Sequence, residues 1–258
     1  MNDPASSYAI TLKIVLLGAI QGITEFLPVS SSGHLVIIQR FLGLRENLVF
    51  LDVSLHIGTL AALATFFYKD IVAACKNTEA ILRILIVTVI TGIIGMTLKK
   101  TFESFFNAPA PVSALLILNG LFILSTGFIK KGGRLPGYAD SALMGLSQGI
   151  AITPGISRSG STIGTLLMRK VEPGQAFRFS FLASIPAIAG AFALEAKDAD
   201  WMKIAEYRPL DVTAGIITSY LCGLLALFLL KKALLGGRFH VFGYYCVLAG
   251  TMFLFFLK

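Results

Sequence analysis

Gln21-Gly-Ile-Thr-Glu25-Phe-Leu-Pro28-Val-Ser30-Ser-Ser-Gly-His34 sets a carboxylate, an imidazole and three consecutive hydroxyls between flanks that are almost wholly apolar. Placing such groups in a low-dielectric setting is costly unless each finds a partner, so at membrane depth they mark a site. Composition supplies the membrane. The 258 residues are 55% hydrophobic and only 14% charged, with a mean hydropathy of +0.79. Ordinary soluble domains are about 25% charged. The net charge of +8 does not indicate nucleic acid, because the Lys and Arg residues lie in short loops between apolar runs and form no continuous basic face. Anionic lipid head groups are the fitting counterpart.

Around the opening stretch the chain reads helix, break, helix. Residues 8–20 form a short apolar helix of about 20 Å, too short to span a bilayer. Pro28 and the run 30–33 interrupt it, and 33–44 resumes as a second short helix. This is the pattern of a re-entrant hairpin, whose broken backbone is tolerated at membrane depth only against protein or a wet cavity. Three crossings follow, at about 48–68, 80–98 and 111–129. The pattern then restarts: a short helix at 141–152, a Pro/Gly/Ser break at 153–160 containing Arg158, a short helix at 161–168, and crossings at about 176–195, 212–230 and 240–257.

The restart is visible residue by residue at an offset of 127. Gly18, Gln21, Gly22, Ile23, Ser30, Ser32 and Gly33 recur as Gly145, Gln148, Gly149, Ile150, Ser157, Ser159 and Gly160. Such matching indicates an internal repeat, residues 8–130 and 141–257, within a single membrane domain over 1–258. A hairpin returns to its own side, so hairpin plus three crossings starts the second copy from the opposite face. The expected fold is therefore an all-α polytopic membrane protein of inverted-topology repeats, each a re-entrant helix hairpin plus three transmembrane helices, with the two tips meeting near the midplane. Twelve Lys/Arg fall in the loops at 69–83, 130–140, 169–178 and 231–239 against nine on the other side. By the positive-inside rule this leans toward both termini outside.

Outside the two breaks little carries chemistry. Cys75, Cys222 and Cys246 have no close spacing and read as small core side chains. His56 and His240 read as core or interfacial histidines, and Trp201 with Tyr207, Arg208 and Pro209 as an interfacial anchor. No basic leader precedes the first apolar run, so the chain reads as mature protein.

At the second break, Pro154-Gly-Ile-Ser157-Arg158-Ser159-Gly-Ser-Thr162 combines a guanidinium fork, hydroxyls, glycines and the N-terminus of a helix, the means by which proteins hold phosphate. Glu25 and Gln21, four apart, share a helix face. The carboxylate could bind a divalent cation, orient a base or pair with Arg158, and oxygen ligands suit Mg²⁺ or Ca²⁺. Ser31 and His34 stand close enough for a hydroxyl nucleophile activated by an imidazole.

The two motifs together closely resemble the bacterial undecaprenyl-pyrophosphate phosphatases of the bacitracin-resistance type, over essentially the whole chain. The resemblance implies hydrolysis of undecaprenyl diphosphate to the monophosphate and phosphate, recycling the lipid carrier of cell-wall synthesis. It places catalytic roles on Glu25, Ser31, His34 and Arg158, substrate binding on Gln21, Ser30, Ser157, Ser159 and Thr162, and a divalent cation, Mg²⁺ or Ca²⁺, at Glu25. Gln21 stands where many members have Glu, which weakens a two-carboxylate metal site. The implied partners are the polyprenyl diphosphate lipid and the bilayer, with no nucleic acid and a homodimer left open. The implied location is the bacterial inner membrane, multi-pass, with the site on the outer side. The rival expectation is a transporter or flippase for an anionic lipid or small anion, which needs the anion cradle but no nucleophile.

Overall fold

A computed structural model of the chain describes residues 4–41, 49–106, 109–198 and 207–256. The fold is all-α, as expected: twelve helices and one 3-10 turn, with a lone parallel bridge between Arg134 and Val171, among the described residues. The first hairpin comprises α1 (Pro4–Phe26) and α2 (Ser31–Phe41), followed by α3 (Val49–Phe66), α4 (Tyr68–Cys75), α5 (Thr78–Thr97), α6 (Lys99–Phe106) and α7 (Pro109–Ser125). The second hairpin comprises α8 (Tyr138–Ile150) and α9 (Arg158–Met168), followed by α10 (Pro173–Asp198), α11 (Pro209–Leu235) and α12 (Val241–Phe256).

Several boundaries differ from expectation. Helix α1 does not stop at Ile20 but continues to Phe26, because the polar groups of its last turns find partners instead of breaking the helix. Helix α9 begins at Arg158, so the second break narrows to 151–157. The crossing expected at 48–68 is bent by 71° where α3 meets α4. Helices α5, α7 with its 3-10 turn, α10 and α11 are long and apolar enough to cross a bilayer, whereas α12 is a shorter apolar helix. Trp201 and the expected second-helix residues 42–44 lie outside the described residues. Of the cysteines, Cys246 is buried, Cys222 is partly buried and Cys75 is exposed, so the core reading holds only for Cys246.

Close backbone approach builds the frame. Helix α1 lies along α11, where a Cβ on Gly18 would sit 2.5 Å from the Gly215 carbonyl oxygen and one on Gly22 would strike the Ser219 carbonyl oxygen. This small-xxx-small spacing lets two helices pack where lipid offers no hydrophobic drive toward association. Helix α8 lies along α5, where Gly145 and Gly149 receive Ile90 and Ile94. Helix α7 pairs with α12 through Gly120 and Gly243. Outward positions such as Leu85, Val89, Ile93 and Met96 on α5 are exposed and apolar, the surface a bilayer covers.

A cluster of Phe26, Phe67, Phe177 and Phe181 fills the interior beneath the hairpin tips. At the loop end of α8, Asp140 is 1% exposed and accepts from Arg134 Nη1 and Nη2 at 2.6 and 2.7 Å, from Arg169 Nε at 3.0 Å and from the Gly137 amide. The hydrogen bonds from Arg134 hold its carboxyl well below the usual carboxylate range.

Candidate active site

The two tips touch. Ser30 has φ 68°, left-handed backbone that a non-glycine residue adopts only where its surroundings enforce it. The bend lets its Oγ accept from the Gly155 amide of the other tip at 3.1 Å and from the Gly33 amide at 3.4 Å. Gly155 answers with φ 95°, and a Cβ there would strike the Val112 carbonyl oxygen on α7. Asn119 on α7 ties both tips together: its Oδ1 accepts from the Ser157 amide at 3.0 Å and its Nδ2 reaches the Pro28 carbonyl oxygen at 3.5 Å.

Across this junction Arg158 Nη2 donates to Glu25 Oε1 at 2.6 Å, with the two side chains 14% and 10% exposed. The other carboxylate oxygen, Oε2, accepts from Ser31 Oγ at 2.8 Å and from Gln21 Nε2 at 3.3 Å. Arg158 also lies over the Phe181 ring, its Cζ 5.9 Å from the centroid. Two buried polar atoms here lack a hydrogen-bond partner among the described residues, Arg158 Nη1 and Gln21 Oε1. An orphaned guanidinium nitrogen is expensive in a protein interior and suits an anionic ligand.

The other expected site residues separate into supports. Ser157 caps α9, its Oγ accepting from the Gly160 amide at 3.1 Å, and stands 3.2 Å from Ser159 Oγ. Thr162 Oγ1 bonds Ser180 Oγ at 2.6 Å and the Arg158 carbonyl oxygen at 2.8 Å, which fixes the first turn of α9. His34 does not bond Ser31. Its Nδ1 meets the Ser30 carbonyl oxygen at 2.8 Å and its Nε2 meets Tyr245 Oη at 2.7 Å. A carbonyl can only accept, so Nδ1 carries the proton and Nε2 of the neutral ring accepts from the tyrosine.

Two contributors escaped the sequence reading. Asn119 was signalled by being a lone amide in an apolar run. His56, expected to be a core or interfacial histidine, instead points its Nε2 toward Glu25 Oε2 at 3.9 Å, and nothing in its local sequence predicts that contact.

These side chains do not by themselves fit a resident metal ion. Among the described residues Glu25 is the only carboxylate in the junction's hydrogen bonds, one oxygen carries a guanidinium and the other a hydroxyl, and no grouping of three His, Cys, Asp or Glu able to hold an ion occurs. A cation here would also face Arg158.

Residues 14–252 match the family described as bacitracin resistance protein BacA. The chain belongs to this family. It is 36% identical to the undecaprenyl-diphosphatase of Alkaliphilus metalliredigens, over 95% of this chain and 98% of that protein. It is 38% identical to the undecaprenyl-diphosphatase of Desulfatibacillum aliphaticivorans, over 93% and 96%. It is 39% identical to that of Halothermothrix orenii, over 93% and 95%. Family membership and the apolar helices make this BacA-family chain a multi-pass membrane protein.

Proposed function

We propose that this chain is a membrane phosphatase that hydrolyses undecaprenyl diphosphate to undecaprenyl phosphate and inorganic phosphate. The observation that carries the reading is the Glu25 carboxylate clamped between Arg158 and Ser31, with Arg158 Nη1 left over for a ligand. A nucleophile hydrogen-bonded to a base beside a free anion donor is the arrangement covalent phosphoryl transfer needs. Transport alone requires no such hydroxyl and carboxylate, so the transporter reading is not favoured.

In the proposed mechanism Arg158 and the N-terminus of α9 bind the terminal phosphoryl group. Ser31 Oγ attacks its phosphorus, and the proton of Ser31 leaves toward Glu25 Oε2. The lipid monophosphate departs with the electron pair of the broken P–O bond, and water then releases phosphate from Ser31. His34, with both ring nitrogens engaged, holds the Ser30 turn that presents Ser31. Mg²⁺ or Ca²⁺ is assigned to the diphosphate as part of the substrate, since Mg²⁺ commonly binds through substrate phosphates.

Inverted repeats account for the crossed packing, in which each hairpin's first helix lies along the second crossing of the other half, α1 on α11 and α8 on α5. We place the protein in the inner membrane with the site on the outer side, following the slim excess of basic residues in the loops assigned to the cytoplasm. One chain supplies both tips, so the mechanism needs no second copy.

Purified protein in detergent, without any gradient, should release phosphate from undecaprenyl diphosphate, and Arg158→Ala should abolish release. Near-normal release by that variant, or substrate binding without release by the wild type, would refute the reading.

A further inference from the structure

His56 lies on α3 with its Nδ1 2.8 Å from the Asp52 carbonyl oxygen one turn back. In the neutral ring that acceptor puts the proton on Nδ1 and makes Nε2 the basic atom. Nε2 stands 3.9 Å from Glu25 Oε2, the same oxygen that accepts from Ser31 Oγ at 2.8 Å. A proton on either atom is attracted to the other. The gap exceeds a hydrogen bond, and catalytic hydrogen bonds are often long without substrate and tighten in its presence.

We propose that His56 is a positioning residue that receives, by way of Glu25, the proton Ser31 releases on attack. This rests on the proposed phosphatase reaction. As the Oγ–P bond forms and the P–O bond to the lipid monophosphate breaks, the Ser31 proton passes to Oε2 and on to Nε2. Glu25 ends as a carboxylate between Arg158 and an imidazolium. When water attacks the phosphoserine, the proton returns by the same route to Ser31 Oγ, and the water's remaining protons leave with phosphate. The Arg158 guanidinium 2.6 Å from Oε1 holds Glu25 as the carboxylate, so the proton settles on histidine rather than glutamate. His56 thereby keeps Glu25 charged, which is the state in which it holds Arg158.

The test uses the full chain in detergent with undecaprenyl diphosphate. His56→Ala and His56→Gln should each lower kcat by about 100-fold, the scale of a lost proton acceptor, with KM changed less than about threefold. Glutamine can hydrogen-bond Glu25 but cannot take its proton, so it should not rescue. Added imidazole should restore His56→Ala at least about tenfold and leave Ser31→Ala inactive. In the wild type, the proton inventory of kcat/KM in H₂O/D₂O mixtures should be bowed, whether or not the variants fold. Glutamine activity near wild type, no imidazole rescue of folded His56→Ala, or a linear inventory would overturn the proposal while leaving the phosphatase intact. A wild type that releases no phosphate, or an active Ser31→Ala, would instead sink the phosphatase reading beneath it.

Discussion

The two hairpin tips share a geometry and divide the chemistry. In each, a serine caps the second helix, Ser30 to the Gly33 amide and Ser157 to the Gly160 amide, at matching positions 127 residues apart. In each, the serine carbonyl also accepts the first helical bond, from His34 and from Ser161. Yet Ser31 stands where the second tip has Arg158, Glu25 where it has Ile152, and His34 where it has Ser161. One tip carries the serine and carboxylate proposed as nucleophile and base, the other the arginine proposed as anion clamp, and neither holds the full set alone. Backbone strain is also divided: the first tip takes its left-handed residue at Ser30, the second at Gly155.

The largest expected effect comes from removing the clamp. Arg158→Ala should cost at least about 10³-fold in kcat/KM, since it deletes the charge facing the phosphoryl oxygens and strands a buried carboxylate. Glu25→Gln keeps the volume of the other arm but removes its basicity, and about 10²-fold loss in kcat is expected from steady-state assay. If it matched wild type, the division of labour between the tips would fail.

A structural comparison is next in size. A methyl on Gly22 would strike the Ser219 backbone carbonyl, whereas one on Gly145 would meet nothing closer than Ile90 Cβ at 3.0 Å. Gly22→Ala should therefore destabilise by about 2–3 kcal/mol and Gly145→Ala by clearly less, read as melting temperatures in detergent. Equal shifts would mean that the α1–α11 contact is no tighter than α8–α5.

The smallest effect concerns Asp140. Its carboxyl is depressed in the folded protein, so its stabilising contribution is fully present above the ordinary carboxyl range and is lost only as pH falls through and below it. Between about pH 5 and 8 the difference in melting temperature between wild type and Asp140→Asn should stay constant. A difference that shrinks near neutrality would contradict the Arg134 and Arg169 contacts.

Much of this was legible in the sequence, because carboxylate, hydroxyls and guanidinium have few other reasons to sit in apolar surroundings. The approach of Glu25 to Arg158 was expected from the 127-residue offset and the parity of the crossings, and their ion pair is one of the three roles open to Glu25. What was not legible depends on which neighbour a side chain meets. Ser31 bonds Glu25 rather than His34 because the ring of His34 is turned between the Ser30 carbonyl and Tyr245, a residue 211 positions away. His56 sits on an apolar helix, and only the packing of α3 beside α1 shows what it faces. The extension of α1 to Phe26 was half legible: Gln21 and Glu25 share a helix face at four-residue spacing, yet the apolar run that marked the helix ends at Ile20.

The central claim is that Ser31, held by Glu25 and set against Arg158, becomes phosphorylated. It is tested most directly by quenching the purified protein during turnover of undecaprenyl diphosphate labelled in its terminal phosphate and mapping the labelled residue. An acid-stable, alkali-labile phosphoester on Ser31, absent in Ser31→Ala, is the predicted result. An acid-labile phosphoramidate on His34, or turnover in Ser31→Ala, would contradict it.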